Sequence, residues 1–111
     1  MEIAAVTRQE LEAMVAAGAV VLVEALGPAF FADVRLPGAV NVPPHQVDGL
    51  ARRLLPERDR TIVVYCSRAC ASAPQTARRL ADLGYRDVRI YPGGKEEWVE
   101  AGLPVERDDS R

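Results

Sequence analysis

Two cysteines stand four positions apart in this chain, Cys66 and Cys70, and no others occur. A thiolate can act as a nucleophile, a redox partner or a metal ligand, and its surroundings decide which. Cys66 directly follows the run Thr61-Ile62-Val63-Val64-Tyr65, whose β-branched, apolar character reads as a buried strand. In an open α/β sheet, ligands bind beyond the carboxyl ends of the strands. Cys66 falls at such an end. The residues after it, Ser67, Arg68, Ala69, Cys70 and Ala71, are small apart from Arg68, so the backbone can curl and aim N–H groups at the sulfur. A helix predicted from Ser72 adds the positive potential of its N-terminus. Both effects favour thiolate over thiol, and the same cradle suits an anion or a persulfide. The bland alternative is a small buried hydrophobe ending a core strand.

The neighbouring residues each carry two readings. Arg68 is either a cation that lowers the thiol pKa and holds an anionic donor, or a solvated loop arginine. Ser72 either donates its hydroxyl to bound sulfur or N-caps the following helix. Cys70 is either a resolving thiol for Cys66 or an incidental small residue. The lone histidine, His45, follows Pro43-Pro44 in a loop. A cysteine activated by backbone amides needs no imidazole, so His45 reads as a loop or capping residue. Two cysteines and one histidine fall short of a structural zinc site, and no metal or dissociable cofactor is expected.

The elements that would position these residues alternate. Thr7 and Glu10 form a capping box for a helix whose Leu11, Met14 and Val15 share one face, with Gly18 as its stop. A strand is predicted over 19–23, broken by Gly27-Pro28. A Pro37-Gly38 turn leads into a short strand over 39–42, followed by a helix over 47–55. After the strand at 61–65 come a helix over 72–83 closed by Gly84, a strand over 87–91, and a last helix over 95–101 that carries Trp98 toward the core. The charged residues from Glu106 onward are expected to fray. Such alternation with short loops implies a parallel sheet with helices on both faces.

With 111 residues, 49% apolar and 27% charged, the chain can bury one self-sufficient core, which excludes disordered and fibrous classes. The longest apolar stretch, 16–23, is far short of the ~20 residues needed to span a bilayer. No leader pattern points to export, so the expected location is the cytoplasm. A net charge of −2 argues against a dedicated nucleic-acid binder. Charge is uneven, however. Six basic residues and two acids lie between Cys66 and Lys95, a balance of +4 against −6 elsewhere. A cationic half around the cysteines would concentrate an anionic ligand.

Several segments together resemble rhodanese-like domains. Arg35-Leu36-Pro37-Gly38-Ala39-Val40-Asn41-Val42-Pro43 is similar to the family's turn-and-strand segment, with Arg35 where a histidine is usual. Val63-Val64-Tyr65-Cys66 resembles the active-site strand and cysteine. Leu83-Gly84-Tyr85, the stretch from Val88 to Pro92-Gly93-Gly94, Trp98 and Gly102-Leu103-Pro104-Val105 match the C-terminal third. The resemblance implies an α/β fold with a five-stranded parallel sheet flanked by helices on both faces, occupying residues 1–105 before a charged tail, 106–111. It also implies transfer of sulfane sulfur through a Cys66 persulfide. The donor would be thiosulfate or another persulfide, the acceptor a thiol, cyanide or an acceptor protein, and the anion-binding loop Ser67, Arg68, Ala69, Cys70, Ala71 and Ser72.

The departures bear on activity. The loop's usual arginine and glycine are replaced by Ala69 and Ala71, and the second-strand Asp-Val-Arg by Glu24-Ala25-Leu26. The arginine that a phosphatase relative would need six residues after its cysteine is Ser72 counted from Cys66, or Thr76 from Cys70, which argues against phosphate-ester chemistry. Two rival functions remain beside sulfur transfer: a sulfur-relay or docking module without turnover, and a dithiol redox protein using Cys66 and Cys70.

Overall fold

The computed structural model describes residues 3–68 and 70–108. Ala69, part of the expected loop, and residues 1–2 and 109–111 lie outside the described residues. The strand expected to be strongest is central. β4 (Thr61–Tyr65) pairs in parallel with β2 (Val21–Glu24) on one side and β5 (Asp87–Ile90) on the other. Two-residue strands, β1 (Ala4–Ala5) and β3 (Val40–Asn41), complete a five-stranded parallel sheet in the order β1-β5-β4-β2-β3. Edge strands this short offer little backbone for unwanted pairing.

The alternation of β4 sorts the core into two layers, because successive strand residues face opposite sides. Ile62, Val64 and Cys66 pack with α3 (Val47–Leu54) and α4 (Ser72–Asp82), where Ala51, Ala77 and Leu80 are buried. Val63 and Tyr65 face the other side, with Leu11 of α1 (Arg8–Ala16) and Trp98 of α5 (Gly94–Glu100). Trp98 is a core residue whose Nε1 donates to the Pro104 carbonyl at 2.7 Å.

Most elements fall where the sequence places them. The Thr7–Glu10 capping box is present in both directions, and α1 ends one residue before its cap, next to Gly18. α4 closes at Gly84 (φ +98°), whose N–H donates to Ala81 while that of Tyr85 reaches Leu80, a turn that needs the left-handed conformation. Three elements escaped sequence reasoning. Gly27-Pro28, taken as a break, instead starts α2 (Pro28–Asp33), since proline at the first helical position costs no hydrogen bond. β1 is too short to show a period, and a one-turn 3-10 helix (Pro44–Gln46) precedes α3. The stretch after Val105 differs from expectation too. Arg35 and Glu106 exchange both backbone hydrogen bonds, and the Arg35 guanidinium pairs with Asp108 at 2.8 Å, so the chain is pinned to residue 108.

Among the described residues, one charged side chain lies wholly inside the fold. Glu24, at the end of β2, is 0% exposed. Its Oε1 accepts from the Tyr65 hydroxyl at 2.8 Å, and its Oε2 from Lys95 Nζ at 2.9 Å. The Tyr65 oxygen in turn accepts from the Leu36 N–H at 3.0 Å. Burial pushes the Glu24 carboxyl above its ordinary range, opposed by Lys95 and Tyr65. Tyr65→Phe strips Leu36 and Glu24 of a buried partner at once. The expected cost is about 1–3 kcal/mol, read as a lower urea midpoint with an unchanged slope.

Candidate active site

Cys66 leaves the sheet where the connections diverge: β2 feeds β3 on one side, and β4 feeds β5 on the other. Such a reversal leaves a crevice outside the strand ends. Cys66 is buried, 3% exposed, and Cys70 is half-buried above it. Both line a cleft of about 240 Å³ walled by Ala5, Ala73, Pro74 and Ile90. The lining is mostly apolar, with Ser67 as a polar exception. In this structure the two cysteines are joined in a disulfide, with Cα atoms 6.4 Å apart, inside the ordinary range for such bridges.

The loop that carries them is held from α5. The Lys95 N–H donates to the Cys66 carbonyl at 2.8 Å, and the Arg68 N–H to Glu96 Oε1 at 2.8 Å. Cys70 folds back through its N–H, 3.3 Å from the Ser67 carbonyl. Gly94 makes this close approach possible. It has φ +73°, and a methyl group there would sit 2.7 Å from both Arg68 N and the Ser67 carbonyl carbon. Gly94→Ala is therefore expected to cost about 1–3 kcal/mol and to displace the loop. Urea unfolding measures the first effect. A changed rate of Cys66 alkylation in the reduced Cys70→Ser background measures the second.

The structure redistributes the expected roles. Arg68 does not face the cysteine: its guanidinium is exposed and bound by Glu100 at 2.7 Å, because α5 presents two carboxylates along the loop's outer edge. Its loop neighbour Ser67 reaches the cleft. Ser72 is not the N-cap. It is the first helical residue of α4, and the cap position is Ala71, which makes no side-chain cap bond. The first N–H groups of α4 thus have no capping side chain, and they lie next to Cys70. His45 is exposed on the 3-10 turn and is not among the residues lining the cleft.

The cationic half is also largely cancelled. Arg68, Arg79, Arg86, Arg89 and Lys95 pair with Glu100, Asp48, Asp59, Asp87 and Glu24 respectively. Little unbalanced field is left to draw an anion. Sequence reasoning missed Gly94, Lys95 and Glu96 as parts of the site. The one available signal was the glycine pair Gly93-Gly94 following a predicted strand, a place where backbone approaches closely.

Comparison with known proteins matches residues 7–101 to the rhodanese-like domain model. The chain is 40% identical over 104 residues to the HTH-type transcriptional regulator Rv0324 of Mycobacterium tuberculosis, covering 92% of this chain and 44% of that protein. It is 34% identical over 86 residues to a sulfurtransferase of Allochromatium vinosum, covering 78% of each. The crystal structure of a thiosulfate sulfurtransferase from Pseudomonas aeruginosa superposes with a TM-score of 0.84 at 33% identity, covering 96% of this chain and 20% of that one. The chain therefore spans less than half the length of two of these three relatives.

Proposed function

The chain belongs to the rhodanese-like family, and from that premise we propose that it is a sulfurtransferase working through a persulfide on Cys66. The observation that carries the reading is the position of Cys66: buried at the carboxyl end of β4, on an apolar cleft, beside the uncapped start of α4. In the reduced protein the Cys66 thiolate attacks the outer sulfur of thiosulfate or of a persulfide. The donor's S–S bond breaks and sulfite or a thiolate leaves. The sulfane sulfur stays on Cys66 until cyanide, a thiol or an acceptor protein attacks it, which returns the Cys66 thiolate.

The backbone of 67–72 forms the anion cradle in this reading. Arg68 contributes to it as a fixed point of the loop, its N–H being held by Glu96 and its guanidinium by Glu100. Residues 1–105 form the working domain and 106–111 its tail. The cycle as written calls for no dissociable cofactor.

A second reading has its own support. A relay module that accepts sulfur without turning it over suits the altered loop, and the similar protein from Mycobacterium tuberculosis is a transcriptional regulator. The test is thiocyanate release by the reduced protein with thiosulfate and cyanide. Turnover that depends on Cys66 supports the enzyme. A sulfur adduct without turnover supports the relay. Neither adduct nor turnover, with ready loss of two hydrogens on mild oxidation, leaves a dithiol redox protein.

A further inference from the structure

The persulfide reading gives Cys66 a role and leaves Cys70 without one. We propose that Cys70 is a resolving thiol that turns the Cys66 persulfide into hydrosulfide, giving the protein a persulfide-reducing activity beside sulfur transfer. The proposal rests on the sulfurtransferase reading and adds a second fate for the same bound sulfur.

Three observations carry it. The fold brings the two sulfurs into a bond, on a loop whose Ser67–Cys70 hydrogen bond turns residue 70 back over residue 66. Both line one cleft, with Cys66 buried and Cys70 half-buried. Cys70 also stands just before the cap position of α4, where no side chain caps the first turn and the helix dipole favours a thiolate. No other thiol exists in the chain to do this.

The step balances without an outside oxidant. The Cys70 thiolate attacks the inner sulfur of Cys66–S–SH, which is the Cys66 Sγ. The bond between Cys66 Sγ and Cys70 Sγ forms, and the bond from Cys66 Sγ to the outer sulfur breaks. The outer sulfur leaves with the electron pair and its proton as HS⁻. It is reduced by two electrons, while each cysteine sulfur is oxidised by one. The product of that step is a Cys66–Cys70 disulfide, the pairing the fold accommodates. A dithiol reductant returns both thiols and readies the site for another donor. Attack on the outer sulfur instead would move the sulfur onto Cys70, and no Cys66–Cys70 bond would form.

The experiment uses the full chain, reduced and freed of reductant under argon, with thiosulfate at one equivalent. Wild type and Cys70→Ser are followed by intact mass and by sulfide release, beside donor-free controls. The expected result for wild type is close to one equivalent of HS⁻ per sulfur accepted, with the final mass two hydrogens below that of the reduced chain. Cys70→Ser should hold one extra sulfur atom and release none until a thiol is added. Wild type that keeps its extra sulfur as long as Cys70→Ser does overturns the proposal, since Cys70 then does not attack the inner sulfur. Failure of Cys70→Ser to gain any sulfur contradicts the persulfide reading itself, so the two failures are distinguishable.

Discussion

Cys66→Ser is expected to lower thiocyanate release by more than about a thousandfold, to the solution background, as loss of an obligatory nucleophile does elsewhere. Serine is close to cysteine in size, and its hydroxyl does not ionise near neutral pH, so no persulfide can form. The substitution also removes the disulfide, which must be separated from the loss of the nucleophile. Cys70→Ser serves that purpose. Both variants lose the same bridge, whose sequence separation is 4. The chain-entropy model values so short a loop at about 2 kcal/mol. The two variants should therefore unfold at similar urea concentrations, while only Cys66→Ser fails to accept sulfur. Steady-state thiocyanate assays, with urea unfolding alongside, check both halves.

The second large effect concerns the buried pair below the site. Lys95→Ala leaves the carboxylate of Glu24, 0% exposed, without its cation, and the expected cost is about 3–5 kcal/mol. That is a large share of the ~5–15 kcal/mol that holds a domain of this size. Lys95 also donates to the Phe30 carbonyl at 2.9 Å, so α2 loses an anchor to α5. The double variant Glu24→Gln/Lys95→Met removes both charges and keeps an acceptor for the Tyr65 hydroxyl. It should recover most of the loss, since the penalty comes from the stranded charge rather than from a missing attraction.

This deficit has a pH signature. In the native protein the Glu24 carboxyl already titrates above the ordinary glutamate range, chiefly because it is buried. A group raised in this way binds its proton more tightly when folded. Its contribution to stability is present below the unfolded pKa and is lost as pH rises through the folded one. Removing Lys95 takes away the largest opposing influence and raises the carboxyl further. Lys95→Ala should then sit nearest to wild type in mild acid and fall away as pH increases. Urea midpoints across that range measure the divergence, and a deficit independent of pH would refute it.

How far the sequence could be read divides along chain distance. The apolar run at 61–65 ends at Cys66, and its alternation already separates the two core layers. The capping box at Thr7, the glycine closing α4 and the five-stranded parallel sheet follow from local patterns or from the family resemblance. The roles of Arg68 and Glu24 do not. Arg68 is turned away from the cysteine by Glu100, which lies 32 residues later, and Glu24 finds its cation 71 residues away. Neither partner is implied by the neighbours of Arg68 or Glu24, because only the packing of α5 against the strand ends brings them together. Ser72 was misread for a local reason. A serine at a helix start reads as a cap, yet the helix already includes Ser72, as the predicted span 72–83 has it, and Ala71 takes the cap position.

The most direct test of the account is the mass of the reduced Cys70→Ser chain after thiosulfate treatment, measured before and after cyanide. Cys66 is then the only thiol, and resolution is blocked. The account predicts a gain of one sulfur atom that cyanide removes completely, with an equal yield of thiocyanate. A chain whose mass the donor leaves unchanged, or one whose added sulfur cyanide cannot remove, would contradict it.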